Sequence, residues 1–273
     1  MFWIGLIAAA LGGLLLFLSK RASERVYQMK TTETSRVGDL LSLIQDVRSE
    51  MGGGASELRE YVELKGVVGS DAPMEAEMSG QAAVIVQSKV TRDVEELREH
   101  RDSEGNVSTR WEKRTESVHS NRLESPFWLD DGSGRIQVRP GGADVTLQKV
   151  VDRFEQPSAV ESGGGQLSFG RFNFSSRLLG PSHRFRVIGY RFVESILPVG
   201  ARLYALGEVS DTAEGTAMHK PSSDKPYMLS TRSEEEMVSS GMSQAKWMKI
   251  GGIAVIALGG VAIVVGAIKM ITG

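Results

Sequence analysis

The stretch Phe185–Val209, FRVIGYRFVESILPVGARLYALGEV, contains two runs of β-strand texture separated by Leu-Pro-Val-Gly. Alternate side chains of a strand point to the same face, so Tyr190 and Phe192 share a face in the first run. Pro198 and Gly200 are typical turn residues. The second run then leads back, and we expect a β-hairpin that closes a sheet.

Short strands and turns continue on the N-terminal side of this stretch. The segment YVELKGVVG alternates from Tyr61, and SPFWLDDGSGRIQVRPGGADVTL has the pattern of three strands joined by two turns. Short strands with regular turns are typical of small barrels and sandwiches. We therefore predict a β-rich domain over residues 56–210, with the glycine-rich residues 161–166 as a loop.

A loop and a short helix are expected over residues 211–247. The segment TAEGTAMHKPSSDKP is polar and rich in turn residues. Ser233 followed by Glu236 is a capping-box signature, which predicts a helix that begins there and runs to about Met242.

Both ends of the chain are apolar and uncharged over residues 1–19 and 250–268. Each run approaches the length that crosses a hydrocarbon core of about 30 Å. No Lys or Arg precedes the first apolar run, whereas a signal peptide would begin with basic residues. We predict retained transmembrane helices at residues 1–19 and 248–270, the second with small residues suited to close helix packing.

The segment at residues 20–55 is predicted to form an amphipathic juxtamembrane helix and a glycine linker. Apolar residues recur at helical spacing on one face, at Val37, Leu40, Leu41, Ile44, Val47 and Met51. This face is expected to pack on the β domain or on a second copy. The fold class is thus a mainly β (α+β) membrane protein, with a small barrel or sandwich between two transmembrane helices.

The order of these features resembles the membrane-anchored E3 ubiquitin ligases of the mulan/GIDE type. The most specific pieces are Gly189-Tyr190-Arg191, Glu194, Leu197-Pro198-Val199-Gly200 and Leu206-Gly207-Glu208. The resemblance covers nearly the whole chain. It implies a beside-a-membrane domain in the middle, a location on an organelle outer membrane, and a zinc-binding RING finger after the second helix.

The RING is where the chain departs from that pattern, because the 273 residues contain no cysteine. A RING needs cross-braced Cys and His ligands for zinc, and its small core depends on the metal. We therefore expect the anchored β domain without the zinc-binding RING and without its ligase chemistry.

The sequence gives little support for a metal site, a serine hydrolase or a phosphate-binding loop. The histidines at positions 100, 119, 183 and 219 are scattered, and none pairs with another at a metal-ligand spacing. Gly-x-Ser-x-Gly and phosphate-loop motifs are missing from the sequence. We expect no catalytic residues, no metal and no cofactor.

An arginine-rich segment without acidic residues extends from Ser162 to Val193. We single out six charged residues as candidate ligand or lipid contacts: Arg171, Arg177, Arg184, Arg186, Arg191 and Glu194. Three alternatives stay open: arginines that face water above an aromatic core, contacts to lipid or protein, and single-stranded nucleic acid, which we do not favour. Five residues are assigned turn or structural roles: Gly189, Tyr190, Pro198, Gly200 and Gly207.

These observations favour a non-catalytic, membrane-tethered recognition or scaffold protein that binds a protein or peptide beside the bilayer. The alternative is a RING-less homologue or subunit of a mulan/GIDE-type ligase system. The basic residues follow the first apolar run and precede the second, on the side of the central domain. The positive-inside rule then places that domain in the cytoplasm of a prokaryote. In an organelle, the family implies the intermembrane side. Whether the chain forms a homo-oligomer stays open.

Overall fold

The computed structural model describes residues 2–52, 58–101, 103, 105–163, 166–175 and 184–272. The chain divides into two compact units, of which unit 1 contains residues 1–65 and 204–273 and unit 2 contains residues 66–203. The predicted domain boundaries do not follow this division, and they remain a prediction.

Strands dominate the middle of the chain, which confirms the mainly β class. Within the described residues the strands are β1 Arg59–Gly69, β2 Met74–Glu75, β3 Ala82–Arg101, β4 Val107–Glu124, β5 Phe127–Asp130, β6 Arg135–Val138, β7 Asp144–Thr146, β8 Gln148–Glu155, β9 Glu161–Gly163, β10 Gln166–Phe169, β11 Phe172–Ser175, β12 Phe185–Pro198, β13 Arg202–Thr212, β14 Gly215–His219 and β15 Met228–Ser230.

The strands form three sheets. One sheet has the order β1-β5-β6-β14-β13-β15-β7, and an additional pairing of β1 with β13 closes five of these strands into a ring. This ring confirms the predicted small barrel. A second sheet has the order β2-β3-β12-β8, with β4 paired to β3, and a third has the order β11-β10-β9.

The predicted hairpin in Phe185–Val209 is wrong, although its turn is present. Gly200 has φ +84°, and the amide of Ala201 donates to Pro198 O at 3.3 Å. The two strands on either side of this turn enter different sheets, because β12 is already hydrogen-bonded to β3 on one edge and to β8 on the other. A strand with both edges occupied has no edge left for a hairpin partner.

Two segments predicted as loops contain strands. Residues 161–166 include all of β9 and the start of β10, and residues 212–226 include β14. Each strand is short and pairs with a neighbouring strand, β9 with β10 and β14 with β13. Their own residues carry little strand propensity, so the pairing depends on the neighbour.

Unit 2 has a core on the inner face of the second sheet. Val90 on β3 and Phe192 on β12 are fully buried, and Phe172 and Phe174 on β11 pack against them. The rings of Phe172 and Phe174 stack at 5.6 Å, and Phe174 meets Phe192 edge-on at 5.8 Å. The aromatic residues Phe172, Phe174, Tyr190 and Phe192 therefore fill the core of unit 2.

Three helices lie in unit 1: α1 Phe2–Thr31, α2 Val37–Glu50 and α3 Glu234–Thr272. Residues 3–31 and 234–268 are long and apolar enough to cross a membrane by length and composition. Both helices extend well beyond the apolar runs. The predicted short helix near Met242 is the first part of α3, since no proline separates it from the apolar run.

Helices α1 and α3 pack antiparallel along a seam of small residues. The buried members of this seam lie seven residues apart, at Gly5, Gly12 and Ser19 in α1 and at Ala245, Gly252, Gly259 and Gly266 in α3. The Ser19 hydroxyl donates to Ala245 O at 2.8 Å. A repeat of seven residues keeps one stripe of a helix against its partner, and small residues let the backbones approach.

Helix α2 is held in unit 1 by its apolar face and by one ion pair. Val37, Leu40 and Ile44 are buried. Arg48, near the C-terminal end of the helix, donates from Nε to Asp211 Oδ2 at 2.8 Å, and its Nη2 contacts Oδ1 of the same carboxylate. Asp211 is fully buried. Because a paired arginine offsets the cost of a buried carboxylate, the pair fixes where α2 lies.

Candidate functional site

Strand β4 is a highly accessible part of unit 2. Strand β4 pairs with β3 over residues 107–124 and forms no other strand pairing in the described part of the chain. Its residues are almost all exposed, including Trp111 at 38% and Val107 at 56%. An edge strand of this length presents a row of backbone donors and acceptors on which a further strand can be added.

Charged side chains cover β4 and its neighbour β3 in an alternating pattern. Arg92 Nη2 donates to Glu116 Oε2 at 2.6 Å, and Lys113 lies 4.0 Å from Glu95. The pKa of Glu116 is lowered, chiefly by the hydrogen bond from Arg92 and also by Arg114, against the opposing effect of burial. Such mixed charges protect an edge strand from non-specific aggregation while leaving its backbone accessible.

An aromatic side chain stands out on this edge. The guanidinium of Arg186, on β12, lies 4.5 Å from the centre of the Trp111 ring. This stacking holds the indole in place while part of it stays exposed, and exposed, pre-ordered tryptophans are typical anchors of protein interfaces.

Each of the four described candidate arginines has a carboxylate partner. Arg171 pairs with Glu75 at 2.5 Å, Arg184 with Glu99 at 2.8 Å, Arg191 with Asp152 at 2.7 Å, and Arg186 with Glu95. Arg177 lies outside the described residues. The four are exposed, and each is paired with its own carboxylate, so they do not form one uncompensated basic patch.

The carboxylate of Asp152 accepts hydrogen bonds from two basic side chains. Lys149 donates to Asp152 Oδ2 at 2.9 Å and Arg191 donates to Oδ1 at 2.7 Å. These hydrogen bonds, first from Lys149 and then from Arg191, lower the pKa of Asp152. The carboxylate therefore stays charged, and Arg191 is engaged within its own sheet.

Glu194 has a different setting from the arginines. Its side chain is fully buried, and its two carboxylate oxygens accept the backbone amides of Met78 at 2.6 Å and Ser79 at 2.8 Å. The carboxylate thus fastens the turn at residues 76–80 to strand β12.

Two of the five residues assigned turn or structural roles, Gly189 and Gly207, occupy tight positions. A Cβ at Gly189 would lie 2.6 Å from Glu155 O, and one at Gly207 would lie 2.8 Å from the Tyr227 ring. Tyr190 is buried in the core of unit 2, and Gly200 lies in the turn after Pro198. Both close approaches require a residue without a side chain.

Unit 1 contains a buried polar network that the sequence analysis missed. Glu63, which is 1% exposed, accepts hydrogen bonds from Tyr204 at 2.8 Å and Thr34 at 2.5 Å. Lys65 lies 2.9 Å from Glu63 and 2.8 Å from Glu234 at the start of α3. Burial and the hydrogen bond to Glu63 raise the pKa of Tyr204. A glutamate between two apolar residues in VELK was the available signal, because a charge on a buried face requires partners.

A serine–histidine contact in unit 1 has the chemical pieces of a nucleophile pair. Ser210 Oγ lies 2.6 Å from His219 Nε2, and His219 Nδ1 lies 2.8 Å from Lys220 O. Since a carbonyl only accepts, Nδ1 carries the proton and Ser210 donates to Nε2. Ser210 is only 5% exposed, so its hydroxyl is withheld from a substrate. The pair stabilises the adjoining strands β13 and β14.

His100 and His119, the remaining described histidines, lie apart from each other. His119 contacts the Phe172 ring at 5.2 Å, and His100 lies near the tip of the β3–β4 arm, while His183 lies outside the described residues. Within the described ranges, no group of three or more His, Cys, Asp or Glu side chains is arranged to hold a metal ion.

Comparison with known proteins shows which family the chain resembles. A family model described as GIDE, E3 Ubiquitin ligase, matches residues 95–266. The E3 ubiquitin-protein ligase SP1 of Arabidopsis thaliana is 26% identical over 249 residues, which cover 91% of this chain and 64% of SP1. The E3 ubiquitin-protein ligase SPL1 of the same plant is 25% identical over 258 residues, which cover 91% of this chain and 66% of SPL1. No solved structure matches.

Proposed function

Because the chain belongs to the GIDE family of E3 ubiquitin ligases, we propose that it recognises a protein at a membrane surface. It spans just under two thirds of the length of the curated relatives that it matches. In this proposal the chain is a non-catalytic, membrane-tethered recognition or scaffold protein. Its β domain, residues 56–210, binds an extended protein segment beside the bilayer.

The exposed edge of β4 is the observation that carries the proposal. An added strand would gain main-chain hydrogen bonds along the edge and would contact the exposed part of Trp111. Alternating charges on β4 can pair with opposite charges of a partner, which favours a chosen sequence over others. The four described candidate arginines are already paired with carboxylates. They are therefore poorly suited to neutralise the phosphates of a nucleic acid.

A second candidate is a subunit or homologue within a ubiquitin-ligase system. The family membership and the names of both relatives favour it. These 273 residues contain no cysteine. In this alternative, the β domain selects the protein to be modified, while a zinc-binding RING on another chain recruits the ubiquitin-conjugating enzyme.

Replacing Trp111 with alanine is expected to lower partner recovery about tenfold, because a central aromatic anchor contributes at least ~1.4 kcal/mol to binding. The measurement is a cross-linked pull-down of the full chain from native membranes. Trp128→Ala is the matched control, since Trp128 also lies under an arginine, Arg135, but on a strand of the barrel. Equal recovery with both variants would count against the β4 edge.

The same pull-down separates the two candidates. Proteins with a RING or with ubiquitin-conjugating activity, recovered in proportion to the chain, would favour the ligase subunit. Their consistent absence, with another protein lost only in Trp111→Ala, would favour the recognition or scaffold role.

We propose a cytoplasmic β domain in a prokaryotic host and an intermembrane one in an organelle. Six basic residues lie on the side of the central domain, at Lys20, Arg21, Arg25, Lys30, Lys246 and Lys249, against Lys269 near the C-terminal end of α3. Basic residues near helix ends are retained on the cytoplasmic side. The family resemblance supports the intermembrane placement in organelles.

The topology is testable with a single cysteine at Ser223, an exposed position in this cysteine-free chain. In intact bacterial cells, a membrane-impermeant maleimide is expected to leave this cysteine unlabelled, because the bilayer keeps the reagent out of the cytoplasm. Labelling should appear after lysis, which serves as the control. Labelling before lysis would show that the β domain lies outside the cytoplasm.

A further inference from the structure

A tight turn covers part of the inner face of the second sheet in unit 2. The amide of Gly80 donates to Ala76 O at 2.9 Å, and the amide of Ala76 donates to Gln81 O at 2.9 Å. Glu194 on β12 holds the amides of Met78 and Ser79 from below. The turn therefore lies over the sheet and is not a free surface loop.

Three polar residues lie side by side on the strands beneath this turn. Ser88 on β3 is directly opposite Glu194 on β12 and directly opposite Asn121 on β4. Directly opposed residues of neighbouring strands point to the same face of a sheet. Asn121 Nδ2 also donates to Glu77 Oε1 in the turn at 3.3 Å. Contacts on both sides of Ser88 thus place Ser88 beneath residues 77–79.

Several oxygen atoms around Ser88 are buried without a hydrogen-bond partner. These are Glu77 Oε2, Ser79 Oγ and Ser88 Oγ. Ser88 is 0% exposed, and so is Glu194. Buried polar groups are nearly always satisfied in native proteins, so three such oxygens, two in the turn and one on the strand beneath it, point to a bound ligand.

The chemistry of these atoms selects the kind of guest. Two carboxylates, Glu77 and Glu194, contribute negative charge, and the serines contribute neutral oxygens. Arg171 packs on Gly80, but its guanidinium is already paired with Glu75. The two carboxylates disfavour an anion, and the three unpartnered oxygens are hard ligands that do not suit a soft metal. Hard divalent cations prefer carboxylate and neutral oxygen ligands and complete their shells with water.

We propose that the turn at residues 76–80 and the row Asn121–Ser88–Glu194 enclose a binding site for a hard divalent cation of the calcium type. Glu77 Oε2 supplies the charged ligand, and the hydroxyls of Ser79 and Ser88 supply neutral ligands, with water at the other positions. Glu194 contributes negative charge while it holds the turn. The site is independent of the proposed partner-binding edge.

Calcium binding by the purified full chain, stripped with a chelator, tests this site. Equilibrium dialysis with radioactive calcium is expected to give one bound ion per chain, and calcium is expected to raise the thermal unfolding temperature. Glu77→Gln removes the charged ligand and should raise the dissociation constant at least tenfold. Ser88→Ala should raise it as well, and it keeps the test valid if the first variant folds poorly.

Glu75→Gln is the matched control, because Glu75 lies two residues from Glu77 but is 61% exposed and pairs with Arg171. Its dissociation constant for calcium should equal that of the unmodified chain. Magnesium binding that is lost in Glu77→Gln and kept in Glu75→Gln would also support a hard-cation site. Absence of a bound cation, or equal binding by Glu77→Gln and Glu75→Gln, would overturn the proposal.

Discussion

Replacing Glu194 with alanine is expected to lower the free energy of unfolding by about 4 kcal/mol. The variant leaves two buried backbone amides, those of Met78 and Ser79, without their acceptor. Each buried donor without a partner costs roughly 1–3 kcal/mol, and truncation of the side chain adds a cavity. We expect this to be the largest effect of any single glutamate substitution in unit 2.

Denaturant unfolding of the full chain in detergent micelles measures this loss, with chelator present so that cation binding does not contribute. Glu99→Ala is the control, because Glu99 is 56% exposed and pairs with a surface arginine, Arg184. Exposed pairs contribute about 0–1 kcal/mol. A loss for Glu194→Ala no greater than that for Glu99→Ala would mean that the carboxylate does not fasten the turn.

Replacing Gly12 with leucine is expected to weaken the α1–α3 pair by about 2 kcal/mol. A Cβ at Gly12 would lie 2.8 Å from Gly252 O and 3.1 Å from the Ile256 amide, so the added atoms meet rigid helix backbone. The helices must then separate or slide, and the whole small-residue seam loses its close contact.

Disulfide formation between Ser19→Cys and Ala245→Cys reports on this seam, since the chain has no cysteine of its own. Gly12→Leu should lower the extent of cross-linking about tenfold or more in this background. Gly13→Leu is the control, because a Cβ at the neighbouring glycine meets nothing within 4 Å. Equal cross-linking in the two variants would contradict the described packing of α1 against α3.

The helices and the barrel were predictable because their signals are local. The apolar runs at both ends identify α1 and α3, and the alternation in VELKGVV and the Asp-Gly-Ser-Gly turn identify β1 and the β5–β6 hairpin. The seven-residue spacing of Gly5 and Gly12 is also visible in the sequence. Helix length was not predictable from apolar runs, because α1 continues through polar residues to Thr31.

The partners of β12 were not predictable from local patterns. The turn at Pro198 and Gly200 is compatible with a hairpin and equally with a crossing between sheets. The choice depends on β3 and β8, which take both edges of β12 from distant parts of the chain. Sequence patterns identify strands better than they identify their neighbours.

The roles of the charged residues also depended on distant partners. Glu194 and Met78 are 116 residues apart in sequence, so no spacing marks their contact. The acid-free segment that contains Arg184, Arg186 and Arg191 suggested a basic surface, but their carboxylates come from β3 and β8. A charge pattern along the chain therefore did not predict the charge pattern in space.

The edge of β4 as a partner-binding surface is the central claim, and site-specific photo-cross-linking in native membranes tests it most directly. A photoreactive amino acid replaces Thr109 on β4 in one variant and Glu214, at the exposed β13–β14 turn, in the other. We predict a discrete, light-dependent adduct from position 109 that disappears with Trp111→Ala, and no such adduct from position 214. The absence of an adduct at position 109, or the same adduct from both positions, would contradict the claim.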